Sequence, residues 1–329
     1  MMLKNETLID GVGSSSLMVY IPCFDLCDVI AGARRTPHPA FAVNGRVLDG
    51  IYISKYQNVV EKGGARSVAD RDPAVCITWD EAEAACARKG EGWHLMTAME
   101  WGAVALWCLK NGYLPYGNNG EGKDHREAEA VARVSYRDDE KGILRVATGT
   151  GPVAWSHNGA ADGIYDLNGN VWEWMGGFRL VRGELQLMQQ DTWLAIDGKS
   201  GGYLTPDGEG TTANSVKLDF AEGHWVYTAE AVQDAYAHAR FAPFVQTTAK
   251  GLCPQAVELL WALALLPVPG MTLDGVDLYA NNGASERMMF RGGRWGQGEN
   301  AGVFKTCLDD PRGYCGEAVG FRAAYYPEK

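Results

Sequence analysis

The chain is poor in positive charge: 30 lysine and arginine residues stand against 41 aspartate and glutamate residues, and the formal net charge is −11. No run or stripe of basic residues stands out, which argues against a nucleic-acid partner, because such binding depends on clustered Lys and Arg. The longest apolar run covers residues 259–266 and is too short to cross a bilayer. We therefore expect neither nucleic-acid binding nor membrane insertion, and we attribute the acidic balance to solubility.

Signals of export and of metal binding by cysteine and histidine are also lacking. Residues 1–20 carry one lysine followed by polar residues, without the apolar core of a signal peptide. The eight cysteines form no Cys-x-x-Cys pair, and none stands at a zinc-ligand spacing from one of the six histidines. We therefore expect a chain without a signal peptide whose cysteines are free thiols.

Glycine and aromatic residues, by contrast, are abundant, with 41 glycines, 14 tyrosines and 11 tryptophans. This composition is typical of a loop-rich fold rather than of a helical bundle. Aromatic and β-branched runs at residues 17–22 and 50–56 predict strands. Two Thr-x-x-Glu capping boxes, at Thr78 and Thr97, predict the starts of two helices.

The second half of the chain is less regular. Residues 229–240 and 254–266 have patterns that predict two further helices. No repeat and no low-complexity linker interrupts the chain, so we expect a single domain over residues 1–329. Within it we expect N-terminal strands at 1–45, an insertion region at 179–285 and a C-terminal segment at 290–326 with its own character.

Three segments carry the most specific patterns of the sequence. They are Gly92–Trp101, Asp166–Trp174, and Arg291-Gly292-Gly293-x-Trp295 together with Gly320-Phe321-Arg322. In this order they resemble the formylglycine-generating-enzyme superfamily. The resemblance covers residues 45–178 and 285–326, and it implies an α+β fold of the C-type lectin type. That fold has two helices, small twisted antiparallel sheets and many ordered loops, and here it would carry insertions.

The segment Asp166–Trp174 places oxygen donors beside a glycine turn. The resemblance implies that a side-chain oxygen of Asp166, the carbonyls of Gly169 and Val171 and the carboxylate of Glu173 hold a structural calcium ion, a metal that prefers oxygen ligands. An Asx turn followed by an ordinary buried glutamate explains the same residues without a metal. Both interpretations stay open. The tryptophans on either side of Glu173 alternate with it, which predicts two core indoles on one face of a strand.

The residues that would make this chain an enzyme of the superfamily are absent. Active formylglycine-generating enzymes carry two cysteines soon after the Arg-Gly-Gly motif, where thiolates suit copper(I). Those positions fall on Gln297 and Gly302, and neither supplies a thiolate. Related nonheme-iron enzymes need a histidine-rich ligand set, which six isolated histidines do not form. We therefore expect no catalysis and no catalytic cofactor.

The C-terminal segment mixes fixed and loose positions. The fixed positions are Trp295, Gly298, Ala301, Gly302, Val303, Phe304, Leu308, Gly320, Phe321 and Arg322. In these residues the segment resembles the variable proteins of diversity-generating retroelements, a branch of the same superfamily whose C-terminal segment is rewritten by adenine-specific mutagenic reverse transcription. Randomising the adenines of Asn codons can produce most of the residue types found at the loose positions, although Gln297 and Glu299 require other codons. The expected binding face consists of Arg294, Gly296, Gln297, Glu299, Cys307, Asp309, Asp310, Gly313, Tyr314, Cys315 and Glu317.

The sequence therefore predicts a non-catalytic display protein that binds a protein or cell-surface ligand. Its expected place is a phage virion, in a tail or receptor-binding position, or the cytoplasm. The alternative is an oxidoreductase of the formylglycine-generating or nonheme-iron type with a displaced site. In the display interpretation, Trp295 and Phe304 are buried scaffold residues, whereas Tyr314 and Arg294 are exposed. Cys307 and Cys315 are expected to form neither a disulfide nor a metal pair.

Overall fold

The computed structural model describes residues 3–129 and 131–327, and within these ranges it contains four α-helices and twenty-three β-strands. The helices are α1 Leu26–Val29, α2 Trp79–Ala87, α3 Ala98–Lys110 and α4 Pro254–Ala262. None of them, in the part of the chain described, is both long enough and apolar enough to cross a membrane.

The strands are short and spread along the whole chain. In chain order they are β1 Lys4–Ile9, β2 Ser15–Pro22, β3 Ala42–Val43, β4 Arg46–Val47, β5 Gly50–Ser54, β6 Val59–Glu61, β7 Gly64–Arg66, β8 Trp93–Leu95, β9 Val134–Asp138, β10 Gly142–Val146, β11 Trp172–Val181, β12 Glu184–Gln189, β13 Thr192–Ile196, β14 Tyr203–Leu204, β15 Lys217–Ala221, β16 His224–Thr228, β17 Arg240–Pro243, β18 Thr248–Lys250, β19 Asp277–Ala280, β20 Arg287–Gly292, β21 Gly302–Leu308, β22 Val319–Phe321 and β23 Ala323–Tyr325.

The described residues form two large sheets and three two-stranded ones, β3-β4, β6-β7 and β9-β10. A five-stranded sheet has the order β1-β2-β5-β23-β8, so the last strand of the chain lies between strands from its first third. A twelve-stranded sheet follows the path β17-β19-β21-β20-β11-β12-β15-β16-β18, with β13, β14 and β22 attached to it. Most neighbouring strands are antiparallel. The predicted α+β class is confirmed. Most strands of the larger sheet, β12 to β19, lie within residues 179–285.

Helices α2 and α3 begin where the capping boxes predict. The Thr78 and Thr97 hydroxyls each accept a hydrogen bond from the backbone N–H three residues on, and the carboxylate of the Glu at that position accepts one from the threonine N–H. Helix α3 packs inward, and the indole N–H of Trp101 donates to the carbonyl of Val303 at 2.7 Å. Local capping thus fixes the start of α3, and its tryptophan ties it to β21.

The predicted helix at residues 229–240 is wrong. Residues 229–239 form bends and irregular loop, and most of their side chains are exposed. The carboxylate of Asp219 accepts the N–H groups of Gln233 (3.0 Å) and Asp234 (3.0 Å), which draws the backbone into a loop. An alanine-rich segment without an apolar face to bury gains too little from packing to stay helical. Helix α4, in contrast, buries Leu259 and Leu260 in the main core.

One fully buried ion pair joins three distant parts of the chain. The guanidinium of Arg322 donates to both carboxylate oxygens of Glu173, at 2.7 Å each. It also donates to the carbonyls of Ser54 (2.9 Å) and Tyr165 (3.0 Å). Both side chains are at most 1% exposed. Every neighbour of this guanidinium is an acceptor, so the pair is a well-satisfied buried charge rather than an isolated one.

A second buried arginine anchors the other end of the C-terminal segment. Arg291 is fully buried, and its guanidinium donates to Thr306 Oγ1 at 2.6 Å and to Ala264 O at 3.2 Å. It also donates to the carbonyl of Leu263, just past the end of α4. Burial lowers the pKa of Arg291 to about 9. The Arg-Gly-Gly motif is therefore fixed to the helix of the insertion region.

Removing the Arg322 side chain should destabilise the whole domain. We expect Arg322→Met to lose about 3–5 kcal/mol of unfolding free energy, because it leaves the Glu173 carboxylate buried and unpaired. Denaturant unfolding measures the loss. Arg137→Met, at an exposed arginine, is the control and should stay within about 0.5 kcal/mol of the parent. Equal effects of the two changes would contradict the role given to the ion pair.

Candidate functional site

An open cavity of about 530 Å³ lies where four neighbouring strands, β11, β20, β21 and β19, present side chains to one face of the large sheet. Phe290 pairs with Cys307, and Cys307 pairs with Tyr279, so these three residues form a row across the strands. Trp172 from β11 extends the floor. The volume is within the range of ligand sites, and the floor is largely aromatic.

Two loops and one edge strand form the rim of this cavity. The loop after β20 contributes Arg294, Gln297 and Asn300, and the loop after β21 contributes Asp310 and Tyr314. On the far side, β17 contributes Phe241, whose side chain is 69% exposed. The cavity therefore combines the C-terminal segment with strands of the insertion region.

The loop after β20 has a rigid base and a free tip. Gly293 has φ +83°, and a Cβ there would lie 2.7 Å from the Cβ of Ala301, so the close approach requires glycine. Trp295 is buried against Leu144 and Val171. Gly296 and Glu299 nevertheless stay exposed. The backbone is thus held by its buried indole, and the side chains beside it remain available.

Five of the eleven predicted binding residues line the cavity. They are Arg294, Gln297, Cys307, Asp310 and Tyr314. Glu299 lines a second, smaller cavity of about 230 Å³. Asp309 is half-buried and accepts a hydrogen bond from Asn281 Nδ2 at 3.3 Å. The other four, exposed outside the cavity, are Gly296, Gly313, Cys315 and Glu317.

Cys307 requires a correction, because it was expected among the exposed positions. Cys307 is only 5% exposed, because it lies on β21 between β19 and β20. Burial raises the pKa of its thiol well above the ordinary range. Cys307 is therefore a floor residue with a protonated thiol, and all eight cysteines are free in the described structure.

Several lining residues escaped sequence reasoning, because some lie outside the C-terminal segment and the others are not among its loose positions. They are Trp172, Phe241, Asp277, Tyr279, Phe290, Asn300, Lys305, Ala318 and Val319. The alternation in Asp277-Leu278-Tyr279-Ala280 was a usable signal, because Leu278 and Ala280 are fully buried and the other two face the cavity. Their pairing with β21 had no local signal.

Charged groups of opposite sign stand in this aromatic cavity. Lys305 pairs with Asp277 and donates to Asn300 Oδ1 at 2.8 Å, and burial lowers the pKa of the lysine. Burial, reinforced by the neighbouring Asp309, raises the pKa of Asp310 from 3.8 to about 6. Arg294 was expected to be exposed but is half-buried at the rim, where its guanidinium lies 5.6 Å from the ring centroid of Trp295. The cavity can therefore contact an aromatic or apolar group and a charged group together.

The two positions where the motif resemblance would place the superfamily's catalytic cysteines lie next to these cavities. Gln297 lines the larger one, where its Oε1 accepts the N–H of Arg294 at 2.8 Å, and Gly302 lines the smaller one. Neither residue is a nucleophile or a soft metal ligand. Within residues 3–129 and 131–327, no group of three or more His, Cys, Asp and Glu side chains is placed to hold a metal ion.

The predicted calcium residues do come together, with one correction. The carboxylate of Asp166 does not join the cluster; it accepts the N–H of Gly149 at 2.8 Å, and burial raises its pKa to about 6. Its backbone carbonyl joins instead, with the carbonyls of Gly169 and Val171 and the carboxylate of Glu173. These oxygens surround the side-chain nitrogen of Gln57, a residue that the motifs did not point to.

Comparison with known proteins gives a family match over most of the chain. Residues 46–250 match the model of the "Sulfatase-modifying factor enzyme 1-like domain". The matched range includes the motifs Gly92–Trp101 and Asp166–Trp174. It also reaches far into the insertion region at 179–285, which the motif resemblance left out.

Individual relatives are more distant. "Inactive C-alpha-formylglycine-generating enzyme 2" of Bos taurus is 28% identical over 130 residues, which cover 39% of this chain and 41% of that protein. The chain thus spans about two fifths of the length of this curated relative. Among solved structures, PvdO from Pseudomonas aeruginosa aligns at a TM-score of 0.40 and 14% identity over 94% of each chain. Treponema denticola variable protein 1 aligns at 0.39 and 13% identity, over 98% of this chain and 99% of that one.

Scaffold and rim residues of the C-terminal segment should respond differently to truncation. Trp295 and Phe304 are 5% and 2% exposed, which confirms their expected burial, whereas Tyr314 is 40% exposed. We expect Trp295→Ala and Phe304→Ala each to cost about 3–5 kcal/mol through lost burial and a cavity. Tyr314→Ala should stay within about 0.5 kcal/mol of the parent. Thermal and denaturant unfolding measure these changes in stability. A Phe304→Ala variant as stable as the parent would contradict the assignment of Phe304 to the buried scaffold.

The raised pKa of Asp310 predicts a pH-dependent stability. A carboxyl whose pKa is higher in the folded state favours folding when protonated, so its contribution is full below pH 3.8 and is lost as the pH rises through about 6. Relative to Asp310→Asn, the parent should therefore lose melting temperature between pH 4 and pH 7. Asp139→Asn, at an exposed carboxyl, is the control. Parallel melting profiles for parent and Asp310→Asn would show that this environment does not perturb Asp310.

Proposed function

The chain belongs to the sulfatase-modifying factor enzyme 1-like family and has the α+β, C-type lectin type of fold, and we propose that this member is a non-catalytic ligand-binding display protein. The observation that carries the proposal is the division of labour within residues 290–326. Buried residues pack the segment into the large sheet, and half-buried and exposed residues form the rim of the cavity beside them.

The buried set holds the backbone independently of the exposed set. Trp295, Val303, Phe304, Leu308 and Phe321 are all at most 5% exposed, and they coincide with the fixed positions of the segment. Substitutions at exposed positions away from such packing change stability by about 0.5 kcal/mol or less. The same buried scaffold can therefore carry many different sets of side chains at the rim of the cavity. This property suits a variable protein of a diversity-generating retroelement.

The composition of the face suits recognition of a protein or cell-surface ligand. Tyr314 lies over the edge of Phe290, with ring centroids 6.1 Å apart, so a rigid aromatic stands at the mouth of the cavity. Arg294 adds a planar donor group at the rim. Tyrosine and arginine are the side chains that most often dominate binding energy at protein interfaces. We place the protein in a phage virion, at a tail or receptor-binding position, or in the cytoplasm.

Catalysis of the superfamily's type is disfavoured by the residues present. Gln297 and Gly302 occupy the two cysteine positions, and the thiol of Cys307 is buried and protonated. Metal analysis combined with a thiol-peptide oxidation assay tests this directly. Stoichiometric copper or iron together with turnover would overturn the proposal in favour of an oxidoreductase.

Two randomised libraries test the division between scaffold and display. One varies the exposed positions Glu299, Gly313, Tyr314, Cys315 and Glu317. The other varies Trp295, Val303, Phe304 and Leu308. We expect most members of the first library to stay soluble and to melt near the parent, and most members of the second to be unfolded. Similar folded fractions in the two libraries would contradict the proposal.

Ligand capture and gene context complete the test. Panning the first library against purified, unrelated proteins should yield binders, and Arg294→Ala should weaken them without changing the melting temperature. In the surrounding DNA, the proposal requires a near-copy of the segment's coding sequence that differs at adenines, beside a reverse-transcriptase gene. An intact genomic neighbourhood without either would contradict the retroelement part of the proposal.

A further inference from the structure

Four buried oxygens converge on a single side-chain nitrogen. Nε2 of Gln57 lies 3.1 Å from Asp166 O, 3.0 Å from Val171 O, 3.1 Å from Glu173 Oε1 and 3.5 Å from Gly169 O. A carboxamide nitrogen carries only two hydrogens and therefore serves two of these acceptors fully. Four oxygens around one centre is an arrangement that proteins more often build around a cation.

The neighbours of Gln57 fix which end of its amide faces the oxygens. Asn170 Nδ2 donates to Gln57 Oε1 at 2.9 Å. The other end of the Asn170 side chain, Oδ1, accepts from Asn118 Nδ2 at 3.0 Å and from the N–H of Val146 at 2.9 Å. Because the Asn170 side chain faces Gln57 with its NH₂ group, Oε1 of Gln57 must point to Asn170. Nε2 of Gln57 must then point to the four oxygens.

A calcium ion does not fit this set of residues as it stands. Calcium takes about six to eight oxygens at about 2.3–2.6 Å. Here the oxygens stand at hydrogen-bonding distances from an atom that fills their centre. The cluster holds one carboxylate, Glu173, and its charge is already balanced by the two bonds from Arg322. The second carboxylate of the motif, Asp166, is turned toward Gly149.

We propose that the amide of Gln57 replaces the calcium ion in this protein. The chain carries its own hydrogen-bond donor at the point where carbonyl oxygens and a carboxylate oxygen converge, so the motif Asp166–Trp174 folds without metal. If the donor nitrogen of Gln57 is removed, the same four oxygens should be able to bind a cation.

The isosteric change Gln57→Glu is the sharpest test. It replaces the donor nitrogen by an anionic oxygen, which then faces three carbonyls and the Glu173 carboxylate. We expect this variant to melt well below the parent in excess EGTA and to recover much of the loss when calcium chloride is added in excess, because a cation bound only to the folded state stabilises it. The parent should melt at the same temperature with EGTA and with calcium.

Asn58→Asp provides the matched control. Asn58 is the next residue, is also fully buried, and its Nδ2 has no oxygen partner among the described residues. A carboxylate there should cost stability without any rescue by calcium. A parent that is stabilised by calcium or weakened by EGTA would overturn the proposal, and so would a Gln57→Glu variant that responds to calcium no more than Asn58→Asp.

Calorimetric titration keeps the proposal testable if Gln57→Glu fails to fold. Calcium chloride titrated into the parent should give no saturable heat of binding. A saturable heat with a stoichiometry near one would show that the parent holds the ion, and Gln57 would then not be its replacement.

Discussion

The buried ion pair between Arg322 and Glu173 is the contact on which the rest of the fold depends. Two charges removed from water are tolerable only when each is paired and hydrogen-bonded. This pair meets that condition by recruiting the carbonyls of Ser54 and Tyr165. Its position sets β22 beside β11, with Glu173 opposite Gly320, and leads directly into β23 in the smaller sheet. A Cβ on Gly320 would lie 2.5 Å from the carbonyl of Ala74, so the same contact also requires glycine there.

With its exit fixed by Arg322 and its entry fixed by Arg291, the C-terminal segment is held at both ends. Between these arginines, β21 runs through the large sheet and buries six of its seven residues. The constraints are therefore concentrated at the two ends and in one strand. The loops around residues 296–300 and 309–318 are held in part through their backbone, as by Gly298 N–H to Asn119 O at 2.8 Å and Cys76 N–H to Gly316 O at 3.0 Å, contacts that do not depend on the side chains at these positions. Freedom of sequence in these loops follows from the rigidity of their attachments.

What the sequence predicted well rests on local chemistry. The helix starts at Thr78 and Thr97 follow from capping contacts within four residues. The burial of Trp295 follows from a large indole among glycines. What it did not predict depends on contacts between distant residues. Gln57 lies more than a hundred positions from the oxygens it serves, and no spacing rule marks it. The loop at 229–240 was misread because helical propensity was counted without asking which face would be buried.

The parallel pairing of β19 with β21 has a consequence for any repertoire built on this fold. Four of the fourteen residues that line the cavity lie outside the segment that the retroelement resemblance marks for rewriting, namely Trp172, Phe241, Asp277 and Tyr279. Sibling proteins that differ only within residues 290–326 would share this part of the cavity wall. Their binding specificities would therefore be related, because every sibling would present the same aromatic and acidic side chains on this part of the wall. The range of ligands that such proteins can bind would be narrower than the number of residue combinations at the variable positions suggests.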